Sequence, residues 1–206
     1  MRSTAYRVAG LAGTVLALAA PAAPAEPRTW VIDPEHFSIS FSVEHAGYAD
    51  VVGLFREASG RFVYDPETNE LESGRVTVQA KSVFTDHEKR DGHVRGGDFL
   101  AAGDHPEIEF VATDYEASGD NAGRLHGELT LLGETRPVTL DLRINKIAEY
   151  PFGGGVLSDP PFVMGVSAST TIRRSNWGMT YGVEGDLVGD AVDLRFEFEA
   201  RRQPDD

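Results

Sequence analysis

Six histidines, at 36, 45, 87, 93, 105 and 126, have the widest chemical range of any residues in this chain. A histidine can ligate a metal, act as a general base or activate a neighbouring hydroxyl. Their spacing argues against a shared metal. His36 and His45 are nine residues apart, which on one regular strand places them on opposite faces. His87 and Asp91 stand at i, i+4 on a helical stretch, but two ligands do not close a site. His105 precedes Pro106 in a loop, and His126 alternates outward between Arg124 and Glu128. Serine is present without a G-x-S-x-G elbow. The chain has no cysteine, which removes disulfides, thiolate ligands and cysteine nucleophiles together. No metal, no cofactor and no catalytic residue is expected. The densest polar cluster is Arg90-Asp91-x-His93, between Phe84 and Phe99. It reads either as a structural tie or as a polar rim for the head group of an amphiphile. Trp177-Gly178-Met179, after Arg173-Arg174, reads either as a plug for a barrel end or as a contact for a lipid tail.

The elements that must hold these residues are strands. Period-two alternation dominates the chain. Phe37, Ile39, Phe41, Val43 and His45 share one face of the first strand, with serines and Glu44 on the other. The same pattern gives inward sets Val76, Val78 and Ala80, then Ile108, Phe110 and Ala112, then Leu125, Gly127, Leu129 and Leu131. It continues with Val138, Leu140, Leu142 and Ile144, with Met164, Val166, Ala168, Thr170 and Ile172, and with Val192, Leu194, Phe196 and Phe198. Residues 51–64, which include Phe55, are strand-like with a blurred phase, and Gly53 and Gly60 suggest bulges or kinks there. Short turns link the strands, so the expected fold is all-β, an eight-stranded antiparallel up-and-down barrel. Thr85-Asp86-His87-Glu88 has the form of a capping box, which predicts one helix from about Asp86 to Arg95, stopped by Gly96-Gly97 and lying across a barrel mouth.

The inward residues of the clear strands carry a single ionisable group, His45, so the predicted interior has almost no groups able to do chemistry. A barrel of eight strands can be packed solid or can hold one slender ligand. Three readings follow. One is a carrier with an apolar tunnel. Another is a small hydrolase or isomerase using His45 and the Arg90/Asp91/His93 cluster. The third is a solid-cored interaction module.

At the N-terminus, Arg2 and Arg7 precede an apolar run from Val8 to Ala20, and Ala23-Pro24-Ala25 is an A-x-A-like cleavage site. Residues 1–25 are therefore expected to be a signal peptide, cleaved near Ala25, leaving one domain over residues 26–206 in the periplasm or outside the cell. The run is short for a membrane span. The chain carries 19 basic and 33 acidic residues, a net charge of -14. Such a surface repels nucleic acid and anionic membrane surfaces, so nucleic acid binding is not expected. No later segment is apolar enough to span a bilayer, so stable membrane insertion is not expected either.

Several of these motifs together resemble the YceI-like family of bacterial exported lipid-binding proteins. They are Asp33-x-x-His36 with Phe41-x-Val43-x-His45, Gly53-x-Phe55 with Gly60, and Ser82-x-x-Thr85 with Arg90-Asp91-x-His93. Asp98-Phe99 with Pro106-x-x-x-Phe110, the hairpin Gly127-x-Leu129-Thr130 to Pro137-Val138, and Arg173 or Arg174 with Trp177-Gly178-Met179 complete the set. The resemblance covers about residues 29–200. It departs at Gly96-Gly97, where polar residues are usual, and at Trp177, where Phe is usual. It implies a lipocalin-like barrel holding a polyisoprenoid, isoprenoid quinone or fatty chain, without enzymatic activity and with a possible homodimer. The expected lipid contacts are Phe37, Ile39, Phe41, Val43, His45, Phe55, Val78, Phe84, Phe99, Phe110, Leu129, Met164, Val166, Trp177, Met179 and Phe196, with Arg90, Asp91 and His93 toward the head group.

Overall fold

The computed structural model describes residues 27–119, 121–152 and 160–204. The expected signal peptide lies outside the described residues. Ten strands run in chain order: β1 (Arg28–His45), β2 (Ala49–Phe55), β3 (Ala58–Asp65), β4 (Glu70–Gln79), β5 (Val83–Phe84), β6 (Glu107–Gly119), β7 (Ala122–Leu131), β8 (Glu134–Glu149), β9 (Phe162–Arg173) and β10 (Val188–Arg202). Among the described residues one α-helix, α1 (Glu88–Arg95), follows β5.

All the pairings are antiparallel, and the sheet closes because β1 pairs with β10 from Trp30↔Arg202 to His45↔Val188. The result is an eight-stranded barrel with one helix. The ten strands make eight staves because two staves are broken. β2 and β3 both pair with β1, end to end, with Arg56 and Glu57 between them. β4 and β5 are separated by a 3-10 turn at Ala80–Ser82. The two breaks lie side by side and are stitched together. Arg56 N donates to Ser82 O at 3.2 Å, Gln79 N donates to Glu57 O at 3.0 Å, and Ser82 Oγ donates to Gln79 O at 2.7 Å. Backbone groups freed at the breaks thus find partners.

The kink is not at Gly53 or Gly60, where the sequence pattern places it. Those glycines make room for neighbours instead. A Cβ on Gly53 would lie 2.2 Å from the ring of Phe41, and one on Gly60 would lie 2.7 Å from Ile32 Cδ1.

The predicted capping box does not form either. α1 starts at Glu88, with His87 as N-cap accepting from Arg90 N. Thr85 is turned inward, and both its N and Oγ1 donate to Asp91 Oδ1, at 2.7 and 2.5 Å. The helix ends at Arg95 before Gly96, as expected.

One apolar cluster lies toward each end. At the end away from α1, Trp30 is 0 % exposed and packs with Tyr64, Ile144, Met164, Val166 and Ala200. Its ring stacks on Phe62 with centroids 6.3 Å apart, and its Nε1 donates to Tyr64 O at 3.2 Å. At the helix end, Val83, Leu100, Leu131, Ile172, Trp177 and Met179 form the second cluster. Trp30→Ala should destabilise the barrel by about 3–5 kcal/mol, the range for removing a buried aromatic. Denaturant unfolding checks this, and a loss below roughly 1 kcal/mol would show that the plug repacks.

Candidate functional site

The barrel is not packed solid, because a cavity of about 570 Å³ runs between the two clusters. That is within the range of ligand pockets, roughly 300–1,000 Å³. Its wall is the inward phase of the strands, such as Phe41 and Val43 on β1, Ile108 and Phe110 on β6, Val166 and Ala168 on β9, and Leu194 and Phe196 on β10. The alternation places these side chains inside because the pleat sends every second residue to one face.

All of the expected contacts line this cavity except Phe84, Asp91 and Trp177. Phe84 lies under the guanidinium of Arg56, 5.1 Å from its ring centroid. Trp177 is core: it is buried in the helix-end cluster and its Nε1 donates to Leu129 O at 3.0 Å. Asp91 is buried and turned to Thr85. Burial alone would raise its pKa, but the hydrogen bonds from Thr85 and the charges of Arg95 and Arg90 outweigh that and hold it below the usual carboxylate value.

Two sets of ionisable groups mark the two ends of the cavity. Tyr64 and Tyr115 stand at the plugged end, with ring centroids 6.0 Å apart. Burial pushes the Tyr64 phenol up to about 12, so it stays neutral and donates to Asn69 at 2.8 Å. Tyr115 is inward because β6 is bulged between Ala112 and Asp114, a phase shift that nothing in the alternation announces.

His45, Arg90, His93 and Arg174 border the cavity at the helix end. Arg90 donates to Thr85 Oγ1 and O at 2.8 and 2.7 Å, and His93 meets Asp98 at 2.9 Å. Arg174, which the sequence reading names only as an alternative to Arg173 in a motif, is the group missing from the expected contacts. It is 2 % exposed and donates to four backbone carbonyls, those of Met179, Tyr181, Val188 and Gly189, each at 2.8 Å. Burial pulls its pKa below the usual arginine value, yet a guanidinium stays charged in a protein. The signal for it was available: alternation through Thr170 and Ile172 continues in phase to Arg174.

His87 and Asp91 do not come together as ligands, since each is occupied by a different backbone N–H. His126 lies on the outer wall, with Nδ1 3.0 Å from Thr139 Oγ1. One triad outside the cavity has ligand-like spacing: Asp33, His36 and Glu199 bring oxygens and a nitrogen within 4.8 Å of one another. The cation there is Arg201, which donates to Asp33 Oδ2 through Nε at 2.9 Å and contacts it through Nη2 at 2.7 Å.

Burial works to raise the pKa of Asp33, but the bonds from Glu35 N, His36 and Arg201 hold it below its ordinary value. The hydrogen bond to Asp33 raises that of His36, with Glu199 adding to the effect. The carboxylate therefore contributes stability above its unfolded pKa near ~3.9 and loses it as pH falls through its lowered value. The imidazolium contributes below its unfolded pKa near ~6.5 and loses it as pH rises through its raised value. Both contributions are present between about pH 4 and 6.5. Asp33→Asn should lower the melting temperature within that window and flatten its fall on either side, and a variant whose melting profile matches the parent's would remove the network from the account.

Comparison with known proteins agrees with this geometry. Residues 30–200 match the sequence profile of the YceI-like domain. The chain belongs to the YceI-like family. It is 33 % identical over 171 residues to a UPF0312 protein of Pseudomonas paraeruginosa, covering 82 % of this chain and 83 % of that one. A UPF0312 protein of Shewanella putrefaciens is 36 % identical over 186 residues, 86 % of this chain and 93 % of its own. Among solved structures, BcnA of Burkholderia cenocepacia superposes with a TM-score of 0.70 at 20 % identity, covering 82 % of this YceI-like chain and 98 % of BcnA. A polyisoprenoid binding domain from Saccharophagus degradans gives a TM-score of 0.62 at 11 % identity, covering 86 % and 100 %. These two share the fold.

Proposed function

We propose that this YceI-like barrel is an exported binding protein that holds one long amphiphilic lipid, a polyisoprenoid, isoprenoid quinone or fatty chain, in its cavity. The observation that carries this reading is the cavity itself, about 570 Å³ with an almost wholly apolar wall and with His45, Arg90, His93 and Arg174 bordering its helix end. An apolar chain in that space gains roughly 25 cal/mol for each Å² removed from water. The polyisoprenoid-binding neighbour of the same fold supports the choice of ligand class. Export with cleavage near Ala25, to the periplasm or beyond, belongs to the same reading.

The enzymatic alternative needs His45, Arg90, Asp91 and His93 free to act on a substrate. Asp91 and Arg90 are committed to Thr85, and His93 to Asp98, which favours binding over turnover. Among the described residues, no helix is long and apolar enough to cross a membrane.

The test is purification from a bacterial periplasm without detergent, followed by mass spectrometry of the organic extract. One stoichiometric isoprenoid or fatty species is the expected result. An empty extract from a protein that also fails to take up added lipid would overturn the reading.

A further inference from the structure

We propose that the helix-end mouth docks on a zwitterionic or uncharged lipid surface through an apolar rim centred on Tyr48, and that the bound chain passes there without crossing water. This rests on the carrier reading above. Large exposed apolar side chains are ordinary when scattered. Here they gather. Tyr48 is 92 % exposed at the tip of the β1–β2 turn, and Val52 on β2 is 62 % exposed. Leu187 and Tyr181 are 56 % and 46 % exposed, and both also line the cavity. Ala46 N donates to Leu187 O at 3.1 Å, which joins the hairpin tip to the loop carrying Leu187. Tyr181 packs edge-on against His93 and Phe99, with centroids 5.2 and 5.3 Å away. The hairpin tip and the loop 181–187 therefore form one collar at the mouth, whose Tyr181 and Leu187 are continuous with the cavity wall, while Val52 stands on the outer face of β2 beside Ser42.

Continuity gives the collar a purpose. A lipid leaving through water must expose its whole chain, and contact between rim and bilayer removes that barrier. Tyrosine suits such a rim, because its ring favours the boundary between lipid and water. The charges select the kind of surface. The rim segments carry Glu44, Asp50, Glu184 and Asp186, on a chain of net charge -14, so an anionic bilayer is repelled.

The experiment uses the full mature protein loaded with farnesol bearing an NBD fluorophore, mixed with phosphatidylcholine vesicles. Transfer should speed up in proportion to vesicle concentration. Vesicles of phosphatidylcholine and phosphatidylglycerol in equal amounts should accept the probe several-fold more slowly at low salt, with the gap closing as salt screens the charges. Tyr48→Ser with Val52→Ser should slow transfer roughly tenfold, since losing one apolar contact of this size is worth at least that factor. Neither residue lines the cavity, so retention of the probe without vesicles and the melting temperature should match the parent. A rate independent of vesicle concentration and untouched by the double variant would overturn the proposal. So would a parent that light scattering shows to be a dimer and a double variant that is a monomer, because the rim would then pair two copies of this chain. Failure of the parent to retain the probe at all would count against the carrier reading instead.

Discussion

Arg174→Met lowers the melting temperature by roughly 10 °C and empties the barrel of lipid. The expected loss is about 3–5 kcal/mol, the range for removing one partner of a buried charged hydrogen-bond set, and a domain of this size shifts by ~2–4 °C for each kcal/mol. The reason is that the guanidinium holds the segment 179–189 in place by its four carbonyl bonds. Methionine fills much of the volume but leaves those carbonyls without their donor, at about 1–3 kcal/mol for each that stays buried. Phe99, whose ring centroid lies 5.7 Å from Arg174 Cζ, loses its neighbour as well. Arg174→Lys should not rescue the fold, because an ammonium cannot reproduce the planar fork. Differential scanning calorimetry decides the matter, and a melting temperature unchanged within error would mean that the loop is held by other contacts.

Phe41→Asp should reduce retained lipid by roughly ten- to a hundredfold while the barrel still folds. Burying a phenylalanine-sized apolar surface is worth about 1.5–3 kcal/mol, and a carboxylate in its place draws water into the tunnel. Phe41 faces Phe55 across the wall, with centroids 5.7 Å apart, and lies directly over Gly53. Phe41→Leu keeps the wall apolar and should keep the lipid. Quantifying the extracted lipid per protein, alongside far-UV circular dichroism, gives the answer. Full lipid content in a folded Phe41→Asp protein would show that the chain does not pass this level of the cavity.

The staves were legible because alternation is a direct image of the pleat. The inward phases of β1, β7, β8, β9 and β10 follow from it residue by residue. What was hidden depends on partners distant in sequence. The breaks at Arg56–Glu57 and Ala80–Ser82 exist as a pair, each satisfying the other's backbone, and neither segment carries a local break signal. Thr85 has the right spacing for a cap, yet a buried carboxylate at Asp91 competes for its hydroxyl and wins. Phe84 and Trp177 are aromatic residues beside the mouth, but the short stave β5 turns one outward and the 3-10 turn at Arg174–Trp177 buries the other. Arg174 escaped because charged residues are read as surface by default, and only the carbonyls of its own loop explain its burial.

The seam between β1 and β10 also dictates an order of events in time. A chain made from its N-terminus carries β1 with one edge unpaired until the last fifteen-residue strand has appeared. Pairings between such distant segments form slowly, in roughly milliseconds to seconds. Until that strand docks, Leu194, Phe196 and Phe198 are missing from the wall, and there is no enclosed space to fill. On the carrier reading, the space that would receive a ligand exists only once this strand has docked.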